Sequence, residues 1–195
     1  MQHLIIFTRY PEPGTTKTRL IPALGAEGAA KFHRQMTEKT VKMVREFAAS
    51  YPVSTEIRYT GGNLELMQAW LGVDLRYSLQ GSGDLGDRLR ESFREAFELK
   101  KTAVMAIGTD CLDLSLEILS EAFDQLKQQD IILGPADDGG YYLIGLSRLF
   151  PEVFSGISWG SSEVFQQTLT VCQQLDLLVG FLPQLADIDR PEDLK

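Results

Sequence analysis

"DIILGPADDGGYYLIGL", residues 130–146, decides what kind of sheet this chain builds. Two apolar runs, 130–136 and 141–146, read as strands, and between them stand only two carboxylates and two glycines. A crossover between parallel strands needs a dozen or more residues. The second run must therefore lie antiparallel to its predecessor or be displaced from it within the sheet. The polar centre has two readings. It is a hairpin turn, because Asp–Gly pairs are common turn chemistry, or it is the wall of a site whose glycines admit close approach of another group.

Outward from this stretch, apolar runs and helical periodicity alternate. Residues 3–8 read as a buried strand, and 26–49 carry Ala29, Phe32, Met36, Thr40, Val44 and Phe47 at helical spacing. Residues 53–60 alternate like a strand, 63–72 resemble a short helix ending at Gly72, and a short strand lies near 73–79. In 84–98, Leu85, Leu89, Phe93 and Phe97 form one stripe, with Arg88, Arg90 and Arg94 opposite. Residues 102–108 read as a buried strand, and Ser115 caps a helix whose face is Leu116, Leu119, Phe123 and Leu126. Residues 161–174 look helical and 177–182 strand-like. This order predicts an α/β protein: a three-layer α/β/α sandwich with a mostly parallel, mixed sheet, in a single domain over 1–195.

The net charge of −8, from 19 basic and 27 acidic residues, argues against general nucleic-acid binding, which needs a basic footprint. A small anionic ligand in a locally basic pocket stays compatible. Cys111 and Cys172 are too few for a disulfide framework or a thiolate zinc site, and His3 and His33 are the only histidines. The apolar run Leu4 to Phe7 is too short for a signal-peptide core. No stretch approaches the roughly 18 apolar residues of a membrane span, so a cytoplasmic location is expected.

In an open α/β sheet, ligands sit outside the carboxyl ends of the strands, and here the chemically loaded loops all follow strands. The first, RYPEPGTTKTRL (9–20), reads as an anion cradle: Gly14 lets the backbone approach closely, Lys17 is a mobile point charge, and Arg9 and Arg19 add planar forks. It is not a Walker A loop, since Thr16 stands where that motif needs glycine before the lysine. The competing reading puts Lys17 and Arg19 on a solvated first turn. Asp110 follows a buried strand directly, with no basic residue nearby in sequence, so it calls for a cation; Mg2+ typically uses one or two carboxylates plus phosphate oxygens. Asp187 or Asp189 would supply the second carboxylate. Alternatively Asp110 caps the following helix. In DRPED (189–193), Asp189 reads as a helix cap with Pro191 in the first turn.

The pieces PEPGTTKTRL (11–20), QGSGDLGDR (80–88), GTDCLDL (108–114), GPADDGGYYLIGL (134–146), ISWGSSEV (157–164) and DIDRPEDL (187–194) follow one another along the chain. Together they resemble the GT-A-fold, nucleotide-diphospho-sugar transferase-like proteins, in particular the radical-SAM/selenodomain-associated transferases, named as glycosyltransferases. The first and last pieces are more distantly similar to guanylyltransferases of cofactor biosynthesis. The resemblance covers almost the whole chain. It implies that Arg9, Lys17 and Arg19 face a nucleotide's phosphates and that Gln80 and Gly83 sit near its base. It implies that Asp110 and Asp189 bind the metal, Mg2+ or Mn2+, and that Asp138 and Gly139 border the acceptor; Tyr141 and Tyr142 alternate across their strand, so one of them, taken as Tyr141, lies near the ligand. In the reaction, Asp138 is a candidate base, with Lys17 and Arg19 assisting. The chain departs from the pattern at Leu112, Arg190 and Arg9, where proline, threonine and lysine are usual; none of these removes a required charge. The expected activity is metal-dependent glycosyl transfer from a nucleotide sugar to a small-molecule acceptor of unknown identity. The alternatives are nucleotidyl transfer from an NTP to a phosphorylated acceptor, with pyrophosphate released, or nucleotide binding without catalysis.

Overall fold

The computed structural model describes residues 1–194. Its elements follow the order β1 (Gln2–Arg9), α1 (Ile21–Ser50), β2 (Val53–Thr60), α2 (Leu64–Leu71), β3 (Arg76–Leu79), α3 (Leu85–Glu98) and β4 (Val104–Ile107). Then come α4 (Leu116–Gln125), β5 (Ile131–Pro135), β6 (Tyr141–Leu146), α5 (Val164–Gln174) and β7 (Val179–Phe181). The seven strands form one sheet in the order β3-β2-β1-β4-β6-β5-β7. Strand β6 runs antiparallel to both its neighbours, β4 and β5, while the other pairings are parallel. The short connection of 136–140 therefore does what its length required: it reverses the chain and inserts β6 between β4 and β5. The mixed sheet and the three layers are as expected.

Strand alternation distributes the core over the two faces. Leu4 and Ile6 of β1 pack with Val41, Met67, Leu119 and Phe123 under α1, α2 and α4. Ile5 packs with Phe93 of α3, Phe154 and Cys172 of α5 on the other face. Phe93 and Phe123 are fully buried, one in each layer; truncating either to alanine would cost about 3–5 kcal/mol. The α3 side also buries charge. His3, Glu56 and Arg58 are each at most 3% exposed; His3 Nε2 lies 3.2 Å from Glu56, and Arg58 Nε lies 2.8 Å from it. Arg58 also pairs with Glu95 on α3.

Local sequence sets the helix starts. Asn63, Asp84 and Ser115 accept hydrogen bonds from the backbone N–H groups of Leu66, Asp87 and Ile118, satisfying donors that a first turn leaves orphaned. In α1, Gly25 has φ 71° and ψ 167°, so the regular helix starts after it, where the periodicity placed it. The tail differs from expectation. Residues Pro191–Asp193 form only a 3-10 turn, capped by Asp193, which accepts from the N–H groups of Asp189 and Arg190. Asp189 is not the cap, because its side chain is drawn to Lys17 and Arg19. Among the described residues, no helix is long and apolar enough to cross a membrane.

Candidate functional site

Four segments meet at the carboxyl-terminal rim of the sheet: the loop after β1, the turn after β4, the β5–β6 connection and the tail after β7. Backbone bonds stitch them together. Leu185 N–H donates to Pro135 O and Asp137 N–H to Leu185 O, each at 3.1 Å, and Ile188 N–H donates to Asp110 O at 3.1 Å. The tail thus runs alongside β5 and crosses to the β4 turn. That turn is held from α1, where Lys39 donates to Leu112 O at 2.8 Å.

Lys17 sits at the centre. Its ammonium donates to Ile188 O at 2.6 Å and lies 3.1 Å from Asp110 and 3.4 Å from Asp189. The side chain is only 6% exposed, and its backbone is left-handed at φ 48°, ψ 47°, a conformation costly for a residue with a Cβ. Arg19 pairs with the other oxygen of Asp189 at 2.5 Å. Arg9 donates to Thr15 O at 2.7 Å, and Thr16 bonds to Tyr10 O and Glu12 N–H, closing the loop on itself around the open Gly14. Arg9, Lys17, Arg19, Asp110 and Asp189 line one cavity of about 390 Å3. The cation against Asp110 is therefore a lysine, which the sequence pattern alone did not supply. Asp110 does not cap α4 either; Ser115 does.

His33 of α1 lines the same cavity and carries no expectation from sequence. Its Nε2 lies 3.0 Å from Arg9 O, a pure acceptor, so Nε2 carries the proton. Its Nδ1 is buried and has no partner. Burial lowers its pKa, against the bond to Arg9 and the charge of Asp110, which raise it.

Gln80 and Gly83 lie on the neighbouring loop. Gln80 is buried, its amide donates to Thr8 O at 2.8 Å and Arg58 O at 3.2 Å, and its oxygen accepts from Arg88 at 3.4 Å. Both of its ends are spent on the protein, which makes it a brace for the loop. Gly83 O accepts from Arg88 Nε at 3.1 Å.

A second cavity, about 270 Å3, opens on the other side of Asp110, between β4, β6 and the 157–164 loop. Asp110, Asp138, Asp187, Tyr141, Tyr142 and Trp159 line it. Asp138 accepts from Gly140 N–H at 2.8 Å, an Asx turn, and Asp137 turns away to accept from Gln184 at 2.7 Å. Gly139 has φ 88°, and a Cβ there would overlap the Ser162 backbone, which explains why glycine stands at that point. Phe165 N–H donates to Gly139 O, so the 157–164 loop is seated on the Asp–Gly turn. Its far end rests on α3: a Cβ on Gly86 would overlap the Trp159 indole. Tyr141 meets Trp159 edge-on at 6.2 Å, and its own hydroxyl is buried without a partner. Tyr142 donates to Pro183 O at 3.0 Å. Burial raises the pKa of Asp187, and the nearby charge of Asp138 adds to that rise. Trp159 and His33 were missed as site residues; the only signal was the quoted ISWGSSEV piece, to which no role was attached.

The donor chemistry fits a divalent cation. Asp110 and Asp189 converge on the Lys17 ammonium, Asp189 pairs with Arg19 as well, and Asp187 shares a cavity with Asp110. No group of three His, Cys, Asp or Glu side chains among the described residues is spaced to hold a metal alone. Two carboxylates with phosphate oxygens completing the shell is the usual arrangement for Mg2+.

The family model described as "Uncharacterized protein conserved in bacteria (DUF2064)" matches residues 43–161. A crystal structure from Desulfovibrio desulfuricans G20, provisionally named a nucleotide-diphospho-sugar transferase, is 34% identical with a TM-score of 0.92, over 99% of this chain and 84% of that one. The inositol-1-phosphate CTP transferase from T. maritima has a TM-score of 0.63 at 16% identity, over 100% of this chain and 92% of that one. Rv0371c from Mycobacterium tuberculosis H37Rv, solved in complex with manganese, has a TM-score of 0.59 at 13% identity, over 98% and 94%. The last two share the fold. No curated protein matches the chain.

Proposed function

This chain belongs to the DUF2064 family, and from that premise we propose that it is a transferase that uses a nucleotide donor, moving a glycosyl group from a nucleotide sugar to a small acceptor. The whole of 1–195 acts in this reading as one nucleotide-diphospho-sugar transferase-like domain. The relative from D. desulfuricans carries that name. One observation bears most of the weight: Asp110 from the middle of the chain and Asp189 from the tail come within 3.1 and 3.4 Å of the Lys17 ammonium from the first loop at the sheet rim.

The division of labour follows from the two cavities. The cavity of Arg9, Lys17 and Arg19 takes the donor's diphosphate, where planar guanidinium forks and an ammonium suit phosphate oxygens. Asp110 and Asp189 would hold Mg2+ or Mn2+, which would supply charge neutralisation on the departing diphosphate. Lys17, buried between the two cavities' shared carboxylate and the tail, stabilises the same developing charge. The acceptor enters beside Asp138. Its oxygen or nitrogen forms the new bond to the anomeric carbon as the bond from that carbon to the phosphate oxygen breaks. The bonding pair stays on the phosphate, the nucleoside diphosphate leaves, and Asp138 takes the acceptor's proton.

A second reading has a specific observation behind it. Three basic side chains around one cavity suit a triphosphate, which favours nucleotidyl transfer from an NTP with loss of pyrophosphate. Thermal stabilisation by NTPs, NDP-sugars and NDPs, with and without Mn2+, separates these. Metal-dependent stabilisation by an NDP-sugar, lost in Asp110→Asn, supports glycosyl transfer. Preference for an NTP with pyrophosphate release supports the second reading. Nucleotide binding indifferent to metal and to Asp110 supports a binding protein and removes both.

A further inference from the structure

We infer that the acceptor cavity takes a ring bearing hydroxyl or amine groups and no phosphate or carboxylate, held against the Trp159 indole. The inference rests on the transferase reading above and narrows it to an acceptor class.

The two cavities share Asp110 and differ in everything else that is ionised. Arg9, Lys17 and Arg19 line the first. In the second the ionised groups are Asp110, Asp138 and Asp187, and no lysine, arginine or histidine among the described residues lines it. Lys17 already offsets Asp110 from the first cavity's side, and a divalent cation there would offset it further, which leaves the carboxylates of Asp138 and Asp187 facing the ligand. Phosphate and carboxylate ligands are bound elsewhere by arginine forks and ammonium groups, and here they would face like charge at close range, in surroundings that screen poorly.

Hydrogen-bond capacity points the same way. An ionised carboxylate only accepts. Asp138 satisfies one oxygen with Gly140 N–H, and it lines the cavity together with Asp110 and Asp187. Three acceptor side chains suit a ligand that brings donors, and hydroxyl and ammonium groups are the donors that small acceptors carry. These same groups are the nucleophiles a glycosyl transfer consumes.

The wall supplies the rest. Trp159 is half-buried, fixed from behind by Gly86 and edge-on to Tyr141, so its indole is a rigid aromatic surface. Such a surface suits the apolar face of a polyhydroxylated ring, and it attracts an ammonium through the ring quadrupole. The volume of about 270 Å3 holds one ring, and through Asp138, Gly160, Ser161 and Asp187 the cavity adjoins a larger one of about 620 Å3 where the rest of an acceptor would lie.

The chain has two tryptophans, Trp70 and Trp159, which makes the test direct. Trp70 packs against Tyr10 and bonds to Glu38, outside the cavity. In a Trp70→Phe variant, Trp159 is the only indole emitter. Its fluorescence is followed at neutral pH during titration with glucosamine, glucose, glucose 6-phosphate and glucuronate. The expected result is a saturable change with glucosamine and glucose, and affinity lower by about tenfold or more for the two anionic sugars. In Trp70→Phe/Asp187→Asn that gap narrows. Equal or tighter binding of the anionic sugars overturns the inference, and so does the lack of a saturable response to either uncharged or cationic sugar at millimolar concentration. Stabilisation of the same variant by NDP-sugars is measured in parallel. Its absence removes the transferase reading and leaves the measured sugar preference standing.

Discussion

Replacing Lys17 with methionine removes one charge from the point where three segments of the chain meet, and its consequences can be sized in advance. Methionine keeps most of the aliphatic stem and, like lysine, has a Cβ at φ 48°, so backbone strain is unchanged and the difference reports the ammonium. That group makes a 2.6 Å bond to Ile188 O and faces Asp110 and Asp189 at 3.1 and 3.4 Å. Breaking a fully buried ion pair costs about 3–5 kcal/mol, whereas exposed pairs contribute about 0–1 kcal/mol. Lys17 is 6% exposed but its partners are 46% and 30% exposed, so screening puts the loss between these limits, at about 2 kcal/mol. For a chain of this length the melting temperature should fall by about 4–8 °C. Mn2+ should restore part of that fall in the variant, because a divalent cation re-pairs Asp110 with Asp189. Loss of a charge-assisted bond to phosphate should weaken nucleotide binding by roughly 10- to 150-fold. Differential scanning calorimetry with and without Mn2+, and isothermal titration with an NDP-sugar, measure these quantities. A variant that melts with the native protein and binds the nucleotide equally well would refute the placement of Lys17 at the centre of the site.

Three further outcomes follow from the same geometry. Gly139→Ala puts a Cβ at φ 88° into the Ser162 backbone, so it should destabilise by roughly 2–3 kcal/mol and abolish transfer by displacing Asp138; unchanged activity would show that the turn does not position that carboxylate. Gly86→Ala drives a methyl group into the Trp159 indole and to within 2.7 Å of the Phe154 carbonyl, an overlap that better helix propensity does not offset, so in the Trp70→Phe background the emission of Trp159 should shift to the red and the melting temperature should fall. Glu56 is opposed by burial, yet hydrogen bonds from His3 and Ser78 and the charges of Arg58 and Arg76 hold its pKa at about 2 against an ordinary 4.5. Its contribution, at most about 3 kcal/mol, is therefore complete above pH 4.5 and lost as pH falls through about 2, and Glu56→Gln should flatten urea-measured stability across that window.

The layered α/β fold was legible because its causes are local. Apolar alternation marks β2, helical spacing marks α1 and α3, and Asn63, Asp84 and Ser115 announce helix starts through bonds to residues three positions on. The connection of 136–140, too short for a crossover, left β6 antiparallel or displaced within the sheet, and the structure shows it antiparallel. Where sequence failed, the deciding partner was far away in the chain. The tail's grammar suggested Asp189 as a cap, but Lys17 and Arg19, about 170 positions earlier, outcompete one backbone N–H for its carboxylate, and Asp193 caps instead.

What the amino-acid order determined by itself is which segments become strands and helices, and hence which loops fall at the carboxyl rim, because hydrogen bonding and apolar periodicity act over a few residues. Only the tertiary structure decided the pairing of charges across that rim. It placed Lys17 rather than any local residue against Asp110, put Asp138 and Asp187 beside Asp110 in one cavity, turned Gln80 inward as a brace, and brought Trp159 and His33 to cavities their neighbours in sequence do not reveal. Coulomb and hydrogen-bond energies depend on distance in space, and the chain sets those distances only when the sheet closes.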